Sequence, residues 1–239
     1  MPGTRRRCSG GEGPTHTVGP AIGSGKGDFT IVGPGGIAGV KQPLSHSTVP
    51  ACVLLNGGKA LIKGGAGRID VAGCNAGVLG SSGVVGGKGE VAIEHADLHD
   101  GLYGIVVKTL TASDVTAHHT SGGIAISVVG VNTAFGVSVH DNVGNGISAG
   151  RKLLGNGVVA TANSGSGIVG LGSVDLSNAT STGNDGFGVS AKRVRLTDST
   201  LTGNGSGDVS SFARPDLTNV TCGKSTRRDG STWGLCAND

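Results

Sequence analysis

Three histidines recur at nearly equal intervals in the middle of the chain. His99, His118 and His140 lie 19 and 22 residues apart, and Asp97 lies two residues before the first of them. Imidazole and carboxylate groups bind divalent metal ions, and they also act as general acids and bases. We therefore take His99, His118, His140 and Asp97 as candidate catalytic residues, and His118 and His140 as candidate ligands of a divalent metal ion. The alternative is a solvated strand face that merely tolerates histidine.

A second group of candidates is basic and lies further along the chain. It contains Lys152, Lys192, Arg193 and Arg195, with the acidic Asp175 nearby. Positive charges that recur along a chain suit an extended anionic ligand. We therefore predict that this group contacts substrate. The alternative is that these charges keep an exposed turn soluble.

A repeat of roughly 21 residues must position both groups. A Gly followed by Ile or Val recurs at Gly104-Ile105, Gly123-Ile124, Gly146-Ile147, Gly167-Ile168 and Gly188-Val189. An Asn precedes the last three of these apolar residues by five positions, and a fourth Asn continues the series: Asn142, Asn163, Asn184 and Asn204. Self-similarity at a fixed short period is the signature of a solenoid.

Each repeat alternates small apolar and polar residues, which is the pattern of a strand buried on one face. A coil this short leaves no room for a crossover helix, so turns must join successive parallel strands. This predicts an all-β parallel β-helix in which the four asparagines stack as a ladder at one turn. If the apolar residues at 96, 98, 115, 117, 137 and 139 face the core, the three histidines form one outward column.

The motif Asn-x-Gly-x-Gly-[Ile/Val] and its spacing resemble those of the right-handed parallel β-helix superfamily, which includes pectate-lyase-like and carbohydrate-binding repeat proteins. The resemblance covers about residues 51–212 and implies a right-handed parallel β-helix. It also implies a bacterial, extracellular protein that interacts with a polysaccharide, as a lyase or a hydrolase. The same fold serves inert adhesins, so a non-catalytic structural or adhesive scaffold is the alternative, and the sequence leaves open whether the protein is an enzyme.

Composition narrows the class of protein further. The chain of 239 residues contains 48 Gly, and only 3% of its residues are aromatic. A net charge of +3 and few aromatic rings argue against nucleic acid as a partner. No apolar run is long enough to span a membrane, and no apolar segment follows Arg5–Arg7 to suggest a signal peptide. Flat sheet faces suggest a homo-oligomer as a further possibility.

The pattern divides the chain into three parts. We expect a Gly-rich arm or cap over residues 1–28, the β-helix over 29–212, and a C-terminal cap over 213–239. The resemblance implies that Cys222 and Cys236 close this cap by a disulfide, which would stabilise a tail without a core of its own. Cys52 and Cys74 are one coil apart, and their stacking on adjacent rungs is expected with or without a bond.

Overall fold

The computed structural model describes residues 16–17, 22–24, 29–32, 35–39, 51–55, 59–64, 67–72, 76–80, 90–101, 103–121, 123–128 and 130–239. These residues form strands and turns without any α-helix. Accordingly, no helix in this part of the chain could cross a membrane.

The strands, in chain order, are as follows. They are β1 His16–Thr17, β2 Ile22–Ser24, β3 Phe29–Val32, β4 Gly35–Gly39, β5 Ala51–Leu55, β6 Lys59–Lys63, β7 Ile69–Ala72, β8 Ala76–Gly80, β9 Glu90–His99, β10 Tyr103–Val107, β11 Thr109–His118, β12 Gly123–Val128, β13 Val131–His140, β14 Gly144–Ala149, β15 Lys152–Asn156, β16 Val159–Thr161, β17 Ile168–Ser177, β18 Thr180–Thr182, β19 Phe187–Thr202, β20 Gly207–Ser211, β21 Asp216–Cys222 and β22 Ser225–Arg227.

Every pair of these strands is parallel, and each strand lies beside the equivalent strand of the next coil. Three strand faces result. Face A contains β10, β12, β14 and β20. Face B contains β6, β15 and the first halves of β9, β11 and β13. Face C contains β7, β16, β18 and the second halves of the same long strands. The predicted fold class, a parallel β-helix of about 21 residues per coil, is confirmed.

One detail of the predicted repeat was wrong. The structure pairs Ile105 with Ile126, and Ile126 with Ile147, so Gly123-Ile124 is not the equivalent of Gly104-Ile105. The spacing on face A is therefore 21 residues from Ile105 to Val189, coil after coil. The sequence pattern selected Ile124 instead of Ile126 because both residues fit an apolar pattern of period two and only Ile124 follows a Gly.

The interior consists of columns of like side chains, one from each coil. On face C the inward column is Val71, Leu98, Ala117, Val139, Ala160, Ser181, Leu201 and Cys222, and all eight are buried. The six apolar residues that we expected to face the core, from Ala96 to Val139, are buried as well. Small and branched side chains fill this thin core because rungs only about 4.8 Å apart leave each residue directly against its neighbours.

Two columns of residues with a left-handed backbone conformation turn the chain, one on each side of face C. The corner between faces B and C contains His95, Asp114, Gly136, Gly157, Asn178, Asp198 and Asn219, with φ between 48° and 65°. The corner after face C contains Asp100, His119, Asp141, Ala162, Gly183 and Gly203, with φ between 52° and 68°. Asp, Asn, His and Gly dominate these corners because they tolerate the left-handed region best.

The asparagine ladder follows the second corner, inside the coil. Asn142 Nδ2 donates to Asn163 Oδ1 (2.9 Å), Asn163 Nδ2 to Asn184 Oδ1 (2.8 Å), and Asn184 Nδ2 to Asn204 Oδ1 (2.8 Å). Thr120 ends the ladder on one side and the buried Asp208 on the other. The predicted ladder is confirmed, and it satisfies side-chain and backbone groups that would otherwise be buried without partners.

Parallel pairing extends past both expected boundaries of the β-helix. β1 and β2 lie before residue 29 and pair with β4 and β5, while β21 and β22 lie after residue 212 and pair with β19 and β20. A disulfide joins Cys222 and Cys236, as expected for the C-terminal cap. Cys74 lies outside the described residues, and so does the expected stacking of Cys52 on it.

Candidate functional site

The three histidines form one outward column on face C, as predicted. The register pairs His99 with His118 and His118 with His140. Their rings are stacked, with centroids 5.2 Å apart for the first pair and 4.9 Å for the second. We call this column the histidine ladder. Imidazoles at this distance repel one another when protonated, so protonation of one ring disfavours protonation of the next.

Acidic residues flank the histidine ladder on both sides. Asp97 and Asp70 are cross-strand partners in the neighbouring outward column of face C. Asp100 and Asp141 occupy the left-handed corner on the other side, with His119 between them in the same column. The ladder is thus a strip of imidazoles bordered by four carboxylates.

His99 is the member of the ladder whose surroundings favour the protonated form. Its Nε2 lies 2.9 Å from Asp70 Oδ1, and its Nδ1 lies 2.8 Å from Asp100 Oδ2. Carboxylates only accept, so the ring must carry a proton on both nitrogens to make both bonds. Burial would lower the pKa of His99, but the hydrogen bonds and charges of Asp100 and Asp70 outweigh it and raise the pKa above the usual 6.5.

His118, in the middle, is the neutral member. Burial lowers its pKa, and the neighbouring imidazoles of His140, His119 and His99 lower it further against the opposing charge of Asp97. His118 Nδ1 lies 2.6 Å from His119 Nδ1, a hydrogen bond that requires one of the two atoms to be unprotonated. His118 Nε2 lies 3.2 Å from Asp97 Oδ1, which is an ion-pair distance without the alignment of a hydrogen bond.

His140 has the arrangement of a general base. Its Nδ1 lies 2.8 Å from Asp141 Oδ2, so the aspartate orients the ring. Its Nε2 makes no hydrogen bond to any residue in the described part of the chain. A carboxylate that holds one nitrogen of an imidazole fixes the tautomer and leaves the other nitrogen free to take a proton.

An arginine anchors the corner beside the ladder. Arg68 Nη1 donates to Asp114 Oδ1 (3.0 Å), and Arg68 Nη2 donates to Ala96 O (2.8 Å) and Thr116 Oγ1 (3.0 Å). His95 also contacts Asp114. The hydrogen bond from His95, together with the charge of Arg68, lowers the pKa of Asp114 below its usual 3.8. Arg68 thereby ties three coils together next to Asp97.

The structure offers no support for the expected metal site. Among the described residues, no group of three or more His, Cys, Asp or Glu side chains is placed to hold a metal ion. His118 and His140 are adjacent, but stacked parallel rings direct their nitrogens side by side instead of toward a common point.

The basic candidates lie together on and beside face B, but they do not form a continuous positive track. Lys152 and Arg193 share a column, with Ser173 between them. Arg195 lies between Asp175 and Asp216, and its Nε donates to Asp216 Oδ2 (3.1 Å). Lys192 lies at a β-bulge, where the register shifts between Gly170 and Ser173. The register thus brings the basic residues near one another, where they alternate with Asp175, Ser173 and Asp216.

Two parts of the site escaped the sequence analysis. Asp70 could have been found, because Ile69-Asp70-Val71 repeats the pattern of Ala96-Asp97-Leu98 one coil earlier. Arg68 gave no such signal. It lies in a turn, and its partners on two later coils become neighbours only when the coils stack.

Comparison with known proteins adds a likeness of limited extent. No protein-family model matches this sequence, and no curated protein matches it either. Among solved structures, the crystal structure of pectate lyase Pel9A is similar, with a TM-score of 0.49 and 16% sequence identity. The match covers 83% of this chain, and this chain spans 60% of that one. The residues of the ladder must therefore support any functional assignment by themselves.

Proposed function

We propose that this protein binds an extended polysaccharide across the rungs of face C and cleaves it by proton transfer at the histidine ladder. The observation that carries the proposal is the difference in surroundings along the ladder: carboxylates at both ring nitrogens raise the pKa of His99, burial and neighbouring imidazoles lower that of His118, and Asp141 orients His140. Neighbouring titratable groups whose environments separate their pKa values are the mark of an acid–base pair.

The open shape of the site supports a long substrate. Face C crosses several coils, so a ligand can contact equivalent positions on successive rungs. Outward threonines continue the ladder column at Thr161, Thr182 and Thr202. Imidazole and hydroxyl groups offer the donors and acceptors that sugar hydroxyls need.

The charges of the site favour hydrolysis over elimination. A lyase acting on a uronate must bind and neutralise its carboxylate, whereas four carboxylates border this ladder and would repel one. His140 and His99 are two rungs, about 10 Å, apart. This is slightly more than the about 6.5–9.5 Å between the two carboxyl groups of inverting glycoside hydrolases, where a water fits between the base and the sugar.

In the proposed reaction, His140 Nε2 takes a proton from water as the water oxygen attacks the anomeric carbon. The bond from that carbon to the glycosidic oxygen breaks. His99 gives its proton to the departing oxygen, for which the Nδ1 contact to the exposed Asp100 must open. Two neutral fragments and one new reducing end result, with inverted configuration at the anomeric carbon.

The test is a panel of neutral and uronate polysaccharides, assayed for new reducing ends and for unsaturated products. We expect reducing ends from a neutral glycan, and a loss of about 100-fold or more in kcat for His140→Ala. Asn156→Ala, an exposed change on face B outside the histidine ladder, is the control and should retain activity. Asp141→Asn should shift the pH profile, because Asp141 acts through His140 as a positioning residue.

Two results would contradict the proposal. Unsaturated products would indicate a lyase. Binding without cleavage, or activity that survives His140→Ala, would also contradict the proposed reaction. The histidines would then be surface residues of a structural or adhesive scaffold.

A further inference from the structure

A groove lies at the C-terminal end of face A, away from the histidine ladder. It measures about 400 Å³ and is lined by Phe187, Ser190, Ser206, Ser210, Phe212, Lys224, Thr226, Arg227, Arg228 and Gly230. Pockets for small ligands typically measure about 300–1,000 Å³. Although the chain has only six aromatic residues, Phe187, Phe212 and the nearby Trp233 are concentrated at this end.

Three cations line the groove without a salt bridge to a described carboxylate. Lys224, Arg227 and Arg228 take part in no ion pair with any residue in the described part of the chain. The nearby Asp229 accepts hydrogen bonds from Ser231, through Oγ (2.6 Å) and the backbone N (3.0 Å), and these bonds, with a smaller contribution from the charge of Arg227, lower the pKa of Asp229. Three cations around one groove with a single nearby carboxylate leave a net positive charge, which favours an anionic ligand.

Aromatic rings hold both arginines in place. The Arg228 guanidinium lies 4.5 Å from the centre of the Phe212 ring, and that of Arg227 lies 4.5 Å from the Trp233 ring. Trp233 is itself fixed by a hydrogen bond from Nε1 to Thr226 O (3.0 Å). Planar guanidinium groups that are already positioned lose little entropy on forming two parallel bonds to a carboxylate.

Hydroxyl groups occupy the rest of the groove. Ser190 and Ser210 are outward neighbours on adjacent strands, followed by Thr226 on the last strand. The side chains of Ser190, Ser206 and Ser210 make no hydrogen bond to a described residue, so they are available to a ligand. Phe187, half-buried opposite Gly207, adds an apolar surface of the kind that packs against the carbon face of a sugar ring.

We propose that this groove binds an acidic sugar, a pyranose that carries a carboxylate, as a second site distinct from the histidine ladder. Arg228, Arg227 and Lys224 bind the carboxylate, the serine hydroxyls bind the ring hydroxyls, and Phe187 contacts the ring carbons. The site makes this protein a binder of acidic glycans at its C-terminal end, whatever chemistry the ladder performs.

Calorimetry with galacturonic acid trimer as the probe tests the site, with galactose trimer as the matched neutral ligand. We expect the acidic trimer to bind and the neutral trimer to bind at least tenfold more weakly. Arg228→Gln and Phe212→Ala should each weaken binding of the acidic trimer by about tenfold or more. Arg151→Gln removes an exposed arginine outside the groove and should leave affinity unchanged. A thermal melt of each variant checks that the fold is retained.

The outcomes separate this proposal from its rivals and from the histidine ladder. Equal affinity for both trimers, or an undiminished affinity in Arg228→Gln, would overturn it. Inorganic phosphate binding as tightly as the acidic trimer would indicate a simple anion site, and tighter binding of a single-stranded oligonucleotide would indicate nucleic acid; either result rejects the acidic sugar. His140→Ala should keep the groove's affinity, so failure of one site is distinguishable from failure of the other.

Discussion

Identical side chains acquire different chemical properties along the histidine ladder because their neighbours differ. His99 has a carboxylate at each ring nitrogen, whereas His118 has an imidazole at Nδ1 and an imperfectly aligned carboxylate at Nε2. The corner residues cause much of this difference. Asp100, His119 and Asp141 share the left-handed corner that the chain needs there, so residues suited to a turn also tune the ladder.

The charge on His99 predicts a pH-dependent stability. Its pKa is raised in the folded state, so its contribution is fully present below the unfolded pKa of about 6.5 and is lost as pH rises through the folded value. Asp100→Asn should therefore lower the free energy of unfolding by up to about 1 kcal/mol below pH 6.5, because Asp100 is exposed. The variant should match the wild type above the folded pKa. Asn tolerates the left-handed corner, so the backbone is preserved.

Denaturant unfolding at a series of pH values measures this effect. A loss of stability in Asp100→Asn that is the same at low and high pH would show that the carboxylate does not act through His99. Imidazole NMR provides a second check, since His99 should become protonated before His118 as the pH falls.

A buried asparagine that belongs to neither the histidine ladder nor the asparagine ladder offers a separate stability prediction. Asn132 lies in an inward column between Leu110 and Leu153 and is 2% exposed. Within the described part of the chain, neither its Oδ1 nor its Nδ2 has a hydrogen-bond partner. Asn132→Val should raise the free energy of unfolding by about 1–3 kcal/mol, because it removes two unsatisfied polar groups from the core.

Thermal and denaturant melts compare Asn132→Val with Asn156→Val, an exposed position where the change should matter little. A destabilised Asn132→Val would mean that a water satisfies the amide in the small cavity beside it. That cavity holds about 10 Å³, close to the minimum for one water.

At the scale of elements, the coil is specified by three stacked features: apolar columns, left-handed corners and the asparagine ladder. Each Asn of the ladder joins two coils, and it also bonds the backbone of a strand. Asn163 Nδ2, for example, donates to Val139 O (3.2 Å) as well as to the next Asn. The ladder therefore couples the turn to the strand before it.

Asn163→Ala tests this coupling. The change removes four hydrogen bonds of the Asn163 side chain: those accepted from the backbone N and Nδ2 of Asn142, and those donated to Asn184 Oδ1 and Val139 O. The backbone N of Asn142 loses its acceptor, whereas Asn142 Nδ2 keeps Ala117 O and Asn184 Oδ1 keeps the backbone N of residue 163. Unsatisfied buried groups cost about 1–3 kcal/mol each, so we expect a loss of about 3 kcal/mol or more in the free energy of unfolding. Asn156→Ala, which removes one exposed bond to Ser177 Oγ, should cost less than about 0.5 kcal/mol. Similar losses in the free energy of unfolding for Asn163→Ala and Asn156→Ala would contradict a special role for the asparagine ladder.

Sequence predicts the repeated elements well because each coil presents the same evidence again. The asparagine ladder and the outward histidines follow from spacing and alternation alone. The alignment failed where one coil offered two equivalent apolar residues, Ile124 and Ile126. Contacts that occur only once, such as that of Arg68 with Asp114, could not be predicted, because a single contact between coils produces no repeating sequence pattern.

At the scale of the whole molecule, nearly all contacts join adjacent coils, with Arg68 reaching one coil further, so stability is nearly one-dimensional and the ends are expected to be its weakest parts. The C-terminal end is closed by several independent contacts. Cys222 continues an inward column and bonds Cys236. Asp239 accepts hydrogen bonds from Leu235 N (2.6 Å) and Cys236 N (2.9 Å), which folds the tail back on itself. The acidic-sugar groove depends on this cap, because Trp233 lies within the disulfide loop.

Removing the disulfide should therefore loosen the cap and leave the coils intact. Cys236→Ser keeps the buried Cys222 in its column and opens a loop with a sequence separation of 14, which should cost about 3 kcal/mol. Trp233 is the only tryptophan, so its fluorescence reports on the cap, whereas circular dichroism reports on the coils. In Cys236→Ser the fluorescence transition should move to lower denaturant while the dichroism transition stays near its wild-type midpoint. If both transitions shift together, the cap and the coils unfold as one cooperative unit, and the one-dimensional account of stability is wrong.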